Sequence, residues 1–167
     1  MTPTELQRAW RAGTMSSLAM RRAIACRTLA AMGAMGVIAL YQLGIIHRLP
    51  DPPLPGFDAD KVHGSDVAYA RLAMPDAALG LMSYAVTFAL TAAGGQDRAR
   101  TTPWLPLALG AKAAFDLAQA GRLLVLEVTR LRALSLWSLV AAGATASAVP
   151  LVAREARWAA RHLLRQD

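Results

Sequence analysis

Three stretches of this chain carry no charged side chain over a length that fits a bilayer, and that constrains its fold more than any motif. Thr28 to Ile46 is free of charge between Arg27 and His47, Ala77 to Gln96 between Asp76 and Asp97, and Ala133 to Ala153 between Arg132 and Arg154. A hydrocarbon core near 30 Å thick needs about 20 mostly apolar helical residues, each rising about 1.5 Å. Each run meets that length. They are the first, second and fourth expected spans.

The third span, from about Pro103 to Leu126, is interrupted by Lys112, Asp116, Gln119 and Arg122. On a helix, Lys112, Asp116, Gln119, Glu127 and Arg130 fall within about 60° of one direction, opposite Gly110, Ala114, Leu117, Gly121, Leu124 and Val128. Charge near the bilayer centre costs at least about 2.5 kcal/mol per residue, so the stripe is expected to face the interior or a wet cavity. Lys112 and Asp116, spaced i and i+4, can pair there, either as a structural brace or as part of a functional path.

Composition supports a membrane protein over a soluble one. The 167 residues are 55% hydrophobic and 17% charged, with a mean hydropathy of +0.33, whereas soluble domains carry roughly a quarter charged residues. Disorder needs low hydrophobicity and is excluded. The formal charge of +7 invites a nucleic-acid partner. The arginines flank apolar runs, however, instead of forming one patch interleaved with aromatics, so no nucleic acid is expected.

Charge also sets the expected orientation. The amino-terminal arm carries Arg8, Arg11, Arg21, Arg22 and Arg27 against Glu5; the tail carries Arg154, Arg157, Arg161 and Arg165 against Glu155 and Asp167. The loop between the first two spans has Arg48, Lys61 and Arg71 against Asp51, Asp58, Asp60, Asp66 and Asp76, and the short loop from Gln96 to Thr102 has Arg98 and Arg100. Under the positive-inside rule both termini are cytoplasmic and the acidic loop is outside. The expected fold is all-α, an integral-membrane four-helix bundle: a basic arm over 1–22, a membrane domain over 23–153 with its outer loop at 47–75, and a tail over 154–167. The run from Ala30 to Ile46 has no small-residue cleavage site, so the first span is expected to stay in place.

Small-xxx-small pairs, Ala30 with Ala34, Ala85 with Ala89 and Gly143 with Ser147, fit bundle packing or a homodimer face. Pro150 is expected to kink the fourth span or end it early. Beyond it, Arg154, Trp158, Arg161 and Arg165 line one side of a tail helix, read either as an interfacial anchor on anionic lipid or as a solvated helix. In the outer loop, the prolines from Arg48 to Gly56 enforce an extended spacer, followed by one or two short helical turns before Pro75.

Within that loop the order Lys61-Val-x-x-Ser65, Tyr69-Ala-x-Leu72, Pro75-x-x-x-x-Gly80-x-x-x-Tyr84 resembles the outer loop and second helix of the vitamin K epoxide reductase family. The likeness continues at Arg132-Ala-Leu-Ser-Leu-Trp-Ser-Leu139, where that family carries a Cys-x-x-Cys at the outer start of its fourth helix. It covers about residues 25 to 155, with spans, loop lengths and sidedness in agreement. The resemblance implies a bundle holding a quinone beside the Cys-x-x-Cys, fed by loop cysteines from an outer redox partner, in a bacterial inner membrane. The chemistry it implies is thiol–disulfide exchange.

This chain departs from that chemistry. Ser135 and Ser138 occupy the two cysteine positions, no cysteine lies near Ala59 and Asp60, and the sole cysteine, Cys26, sits between Arg22 and Arg27 at the opposite end. Serine hydroxyls form no reversible covalent bond with each other, so Ser135-Leu-Trp-Ser138 is expected to be redox-dead. Either the chain is a natural degenerate member or both cysteines were replaced deliberately; the missing loop pair favours natural loss.

The resemblance places Ser135, Trp137 and Ser138 at a quinone pocket, with Ser65 as the family's loop serine and Asp76 at a position where some members bond a quinone carbonyl. Against these stand simpler roles: helix caps for the serines, an interfacial aromatic for Trp137 and dipole complementation for Asp76. Ala142 replaces a family aromatic. His47 and His63 are expected to be solvated loop residues, and no metal site is expected. The leading function is a quinone- or lipid-binding protein that has lost thiol catalysis. The alternatives are a structural or assembly subunit of a larger membrane complex, and an oxidoreductase whose cysteines were replaced.

Overall fold

The structure, a computed structural model, describes residues 2–12, 16–70 and 73–165. Arg71, Leu72 and Asp167, used above, lie outside them. The described residues are helical apart from loops and one isolated bridge between Phe57 and Leu134. The helices are α1 (Pro3–Ala12), α2 (Ser16–Gln42), α3 (Ala59–His63), α4 (Asp66–Tyr69), α5 (Asp76–Ala92), α6 (Arg98–Thr101), α7 (Trp104–Leu126) and α8 (Leu136–Leu163). A π-helical turn, Glu127–Leu131, extends α7. Two helices, α2 and α8, are long and apolar enough to cross a membrane; α5 is apolar but shorter.

The long helices pack in a closed circuit, α2 on α5 and α8, and α7 on α5 and α8. Ile24, Leu109, Ala113 and Val152 form one buried cluster. Ala31, Ala34, Tyr84 and Ala141 form a second, and Ile38, Ala39 and Ala77 a third. Alanines let these helices approach closely. Of the small-residue pairs, Ala34 joins the second cluster, whereas Ala30, Ala85, Ala89, Gly143 and Ser147 are exposed.

Two helix boundaries differ from the limits of the charge-free runs. The first long helix begins at Ser16, well before the charge-free run, because Arg21 is fully buried. Its guanidinium donates to the carbonyls of Thr91 (2.9 Å), Ala92 (2.9 Å), Ala93 (2.8 Å) and Gly95 (3.0 Å), capping the carboxyl end of α5. Pro150 does not end α8, which runs on to Leu163. The turns after it are held from the inside by buried Val152 and by Glu155, which accepts a bidentate ion pair from Arg98, both contacts 2.7 Å. Arg98 also donates to the carbonyls of Leu90, Thr91 and Ala93.

These bonds gather the start of α2, the ends of α5 and α8, and α6 at one end of the molecule. The acidic loop lies at the other end, strapped to the start of α8. Asp58 N donates to Leu134 O at 3.0 Å and Leu134 N to Gly56 O at 2.8 Å. Asp51 accepts from the backbone N–H of both Ala59 and Leu136. The proline-rich stretch is non-helical, as its composition requires, but it is not a straight spacer: Leu54 N donates to Pro52 O and Phe57 N to Leu54 O, so it turns before it docks.

Candidate functional site

At the strapped end the chain leaves the π turn through Arg132 in the left-handed region (φ 48), a conformation that non-glycine residues seldom adopt. This reversal delivers Ser135 to the amino-terminal cap of α8, where its hydroxyl accepts from Ser138 N. Ser135 is fully buried. Its Oγ lies 3.0 Å from His63 Nε2, and Ser138 Oγ lies 3.4 Å from the same nitrogen. Glu127 closes the cluster, accepting from Ser135 N at 3.2 Å and from the Ser138 hydroxyl.

The expectation that His63 is a solvated loop residue is overturned. It is only 5% exposed, because α3 packs it against the start of α8. Burial pulls its pKa down to about 4, with Asp60 opposing, so the imidazole is neutral at physiological pH. His47, by contrast, is exposed.

A second polar group sits beside this one. Gln42, at the end of α2, donates to Asp76 Oδ1 (2.7 Å) and to His63 O (3.3 Å), while its Oε1 accepts from Ala77 N (3.2 Å). Asp76 thus opens α5 under the direct hold of α2. The sequence signal for Gln42 is a lone amide within the apolar run from Thr28 to Ile46. Ser65 precedes α4, but its hydroxyl makes no capping bond and donates back to Val62 O at 2.8 Å.

Between these groups and the middle of the molecule lies a cavity of about 610 Å³, within the range of small-molecule sites. His63, Ser65, Asp76, Glu127 and Ser138 line one end and Ser83, Asp116 and Gln119 stand deeper, with Met35, Ile38, Phe115 and Leu123 among its apolar wall. Ala142 lines it where an aromatic would have narrowed it. Trp137 lies outside this wall. Its indole N–H donates to Pro50 O at 3.0 Å and its ring packs on the core beside Met35, so it fastens the loop strap to α8.

Lys112 and Asp116 do pair, and hydroxyls from α5 complete the group. Asp116 accepts from Ser83 (2.9 Å) and Thr87 (2.6 Å), and Lys112 donates to both hydroxyls (2.9 and 3.2 Å). Asp116 and Glu127 are buried while Leu117 and Val128 face outward, so the polar stripe turns inward there, but its last member, Arg130, is exposed. Lys112→Leu should lower stability by about 2 kcal/mol, less than for a fully buried pair because Ser83 and Thr87 still donate to Asp116, and Lys112→Leu with Asp116→Leu should recover part of the loss. Thermal melts of the two variants in detergent check this; equal midpoints would dismiss the brace.

Cys26 is exposed on α2, near the end defined by Arg21 and remote in sequence and structure from Ser135. No second cysteine exists in the chain. No curated protein matches the sequence. Residues 22–153 match the vitamin K epoxide reductase family, a span that includes the strapped loop, the cavity and Ser135-Leu-Trp-Ser138. The chain belongs to the vitamin K epoxide reductase family, a family of membrane redox enzymes, and lacks cysteine pairs.

Proposed function

We propose that this chain is a degenerate member of its family, retained as a quinone- or lipid-binding protein and not as a thiol–disulfide oxidoreductase. It is built as a four-helix membrane bundle, with both termini in the cytoplasm and the strapped loop on the outer face of a bacterial inner membrane. One observation supports this above others: the cavity persists, with Ser138 and His63 in its wall, although serines stand where the family's chemistry needs thiolates.

The cavity's residues suit a quinone. Its wall is largely apolar, and hydrogen-bonding groups stand at the strapped end. Ser138, with Ser65 beside it, would donate to a carbonyl of the head, and Asp76 would accept from the hydroxyl of its reduced form. A bound quinone supplies a two-electron, two-proton acceptor. This chain's residues contribute binding and orientation: a serine hydroxyl can hydrogen-bond a carbonyl but cannot attack a disulfide or be oxidised to one. Neutral His63 holds Ser135 and Ser138 in place, and Trp137 closes the loop over them.

Lipophilic molecules extracted from the purified protein should include a quinone or a lipid seen by mass spectrometry. Added ubiquinone or menaquinone should raise the melting temperature, since a ligand bound only to the folded state stabilises it by mass action. Ala142→Phe should fill the cavity and remove most of that rise. The unaltered chain should not oxidise a dithiol with either quinone as acceptor. Turnover of the dithiol would overturn the loss of catalysis; no extracted ligand and no melting shift would overturn the binding role.

A further inference from the structure

Beyond the cavity, the least explained surface is the outward face of the last turns of α8. Arg154, Trp158, Arg161 and Arg165 lie within about 60° of one direction on the helix, with Arg157 and Leu164 flanking them on one side. All six are exposed, Trp158 at 63% and Leu164 at 77%. The opposite face is fixed, because Val152, Glu155 and Ala159 are buried and Glu155 is clamped by Arg98. Arg154, Arg157 and Arg161 therefore project from a helix packed on its other side, and Leu164 and Arg165 follow in the turn that ends it.

The 28 residues of α8 extend about 42 Å at 1.5 Å per residue, against a hydrocarbon core near 30 Å. Counted from its start at the strapped loop, roughly 20 residues of α8 suffice to cross that core, which brings Arg154 and the turns after it to headgroup depth. Four guanidiniums there match phosphate in charge and in hydrogen-bond geometry. The large apolar surfaces of Trp158 and Leu164 between them fit the acyl boundary. A soluble polyanion would satisfy the arginines and leave both apolar side chains in water.

We propose that this face is a binding site for anionic glycerophospholipid of the leaflet at the arginine-rich end. The site rests on membrane embedding alone and is independent of what occupies the cavity, so failure of the quinone test leaves it standing. At about fivefold per guanidinium, replacing three arginines weakens binding on the order of a hundredfold.

The test uses the purified full-length chain in detergent with equimolar short-chain phosphatidylglycerol and phosphatidylcholine, read by native mass spectrometry. Phosphatidylglycerol should be retained preferentially. The triple variant Arg154→Gln, Arg157→Gln, Arg161→Gln should lose the preference. A charge-matched control at the opposite end, Arg48→Gln, Arg130→Gln, Arg132→Gln, should keep it. Trp158→Ala, which leaves every charge in place, should weaken retention severalfold and guards against misfolding of the triple variant. Absence of preference in the unaltered chain, equal loss in the control, full retention in both α8 variants, or equal retention of a single-stranded oligonucleotide would each overturn the proposal.

Discussion

Arg98→Leu is expected to destabilise the protein by about 3–5 kcal/mol, the cost typical of stripping one partner from a buried ion pair. Arg98 and Glu155 are both buried and joined by two parallel 2.7 Å contacts, so the carboxylate left behind would have no water and no direct ion-pair partner, with only the more distant Arg21 as counter-charge. The same substitution removes a donor from the carbonyls of Leu90, Thr91 and Ala93. Proteins hold only about 5–15 kcal/mol in total, which makes this a large share. Arg98→Leu with Glu155→Leu should recover part of the loss, since two apolar side chains of fitting size replace the pair. Recovery should be incomplete because Arg21 alone then caps α5. Arg98→Lys should fall between wild type and Arg98→Leu, a single ammonium being unable to reproduce the planar fork. Melting midpoints in one detergent check all three. If the single and double variants melt together, the stability comes from carbonyl capping and not from the ion pair.

The same arginines show where sequence reading stops. In the sequence, Arg21 and Arg98 report only sidedness, yet both are fully buried. Hydropathy assigns a guanidinium to water; it cannot see that the open carbonyls at the end of α5 offer a substitute for water. The charge-free run from Thr28 therefore gives no sign that its helix continues back to Ser16. Hydropathy likewise hides the continuity of α8, whose turns after Pro150 are held by Glu155. What depends on local periodicity was legible. The Lys112–Asp116 pair and its inward direction followed from i, i+4 spacing and the apolar opposite face, and the cap at Ser135 followed from a polar residue opening an apolar run. His63 and Gln42 were not legible, because their roles arise only when the docked loop brings α3 onto α8 and α2 onto α5. Ser65 and Asp76 could be placed near a cavity only through the family resemblance; nothing in their spacing marks them.

The loop's docking carries its own pH signature. The His63 imidazole, with a pKa of about 4 against an ordinary 6.5, is buried uncharged. Unfolding releases it to titrate normally, so between these values the unfolded chain binds more protons than the folded one. Stability from this group is therefore fully present above about pH 6.5 and is lost as pH falls toward 4, where the loss levels off. At roughly 1.4 kcal/mol per pH unit, the loss by pH 4.5 is about 2–3 kcal/mol. Glu127, whose carboxyl burial pushes above its ordinary value, belongs to the same cluster, so the wild-type curve alone is not diagnostic. His63→Gln keeps a polar side chain beside Ser135 and removes the ionisable ring. Compared at pH 7.5 and 4.5, the wild-type protein should lose about 2–3 kcal/mol more than His63→Gln. Parallel decline of the two proteins would mean that the imidazole stays solvated and that the loop is not closed over Ser135. A steeper decline in wild type alone would tie closure of the outer loop to one neutral histidine, and would give acid pH a direct route to opening the cavity at its serine end.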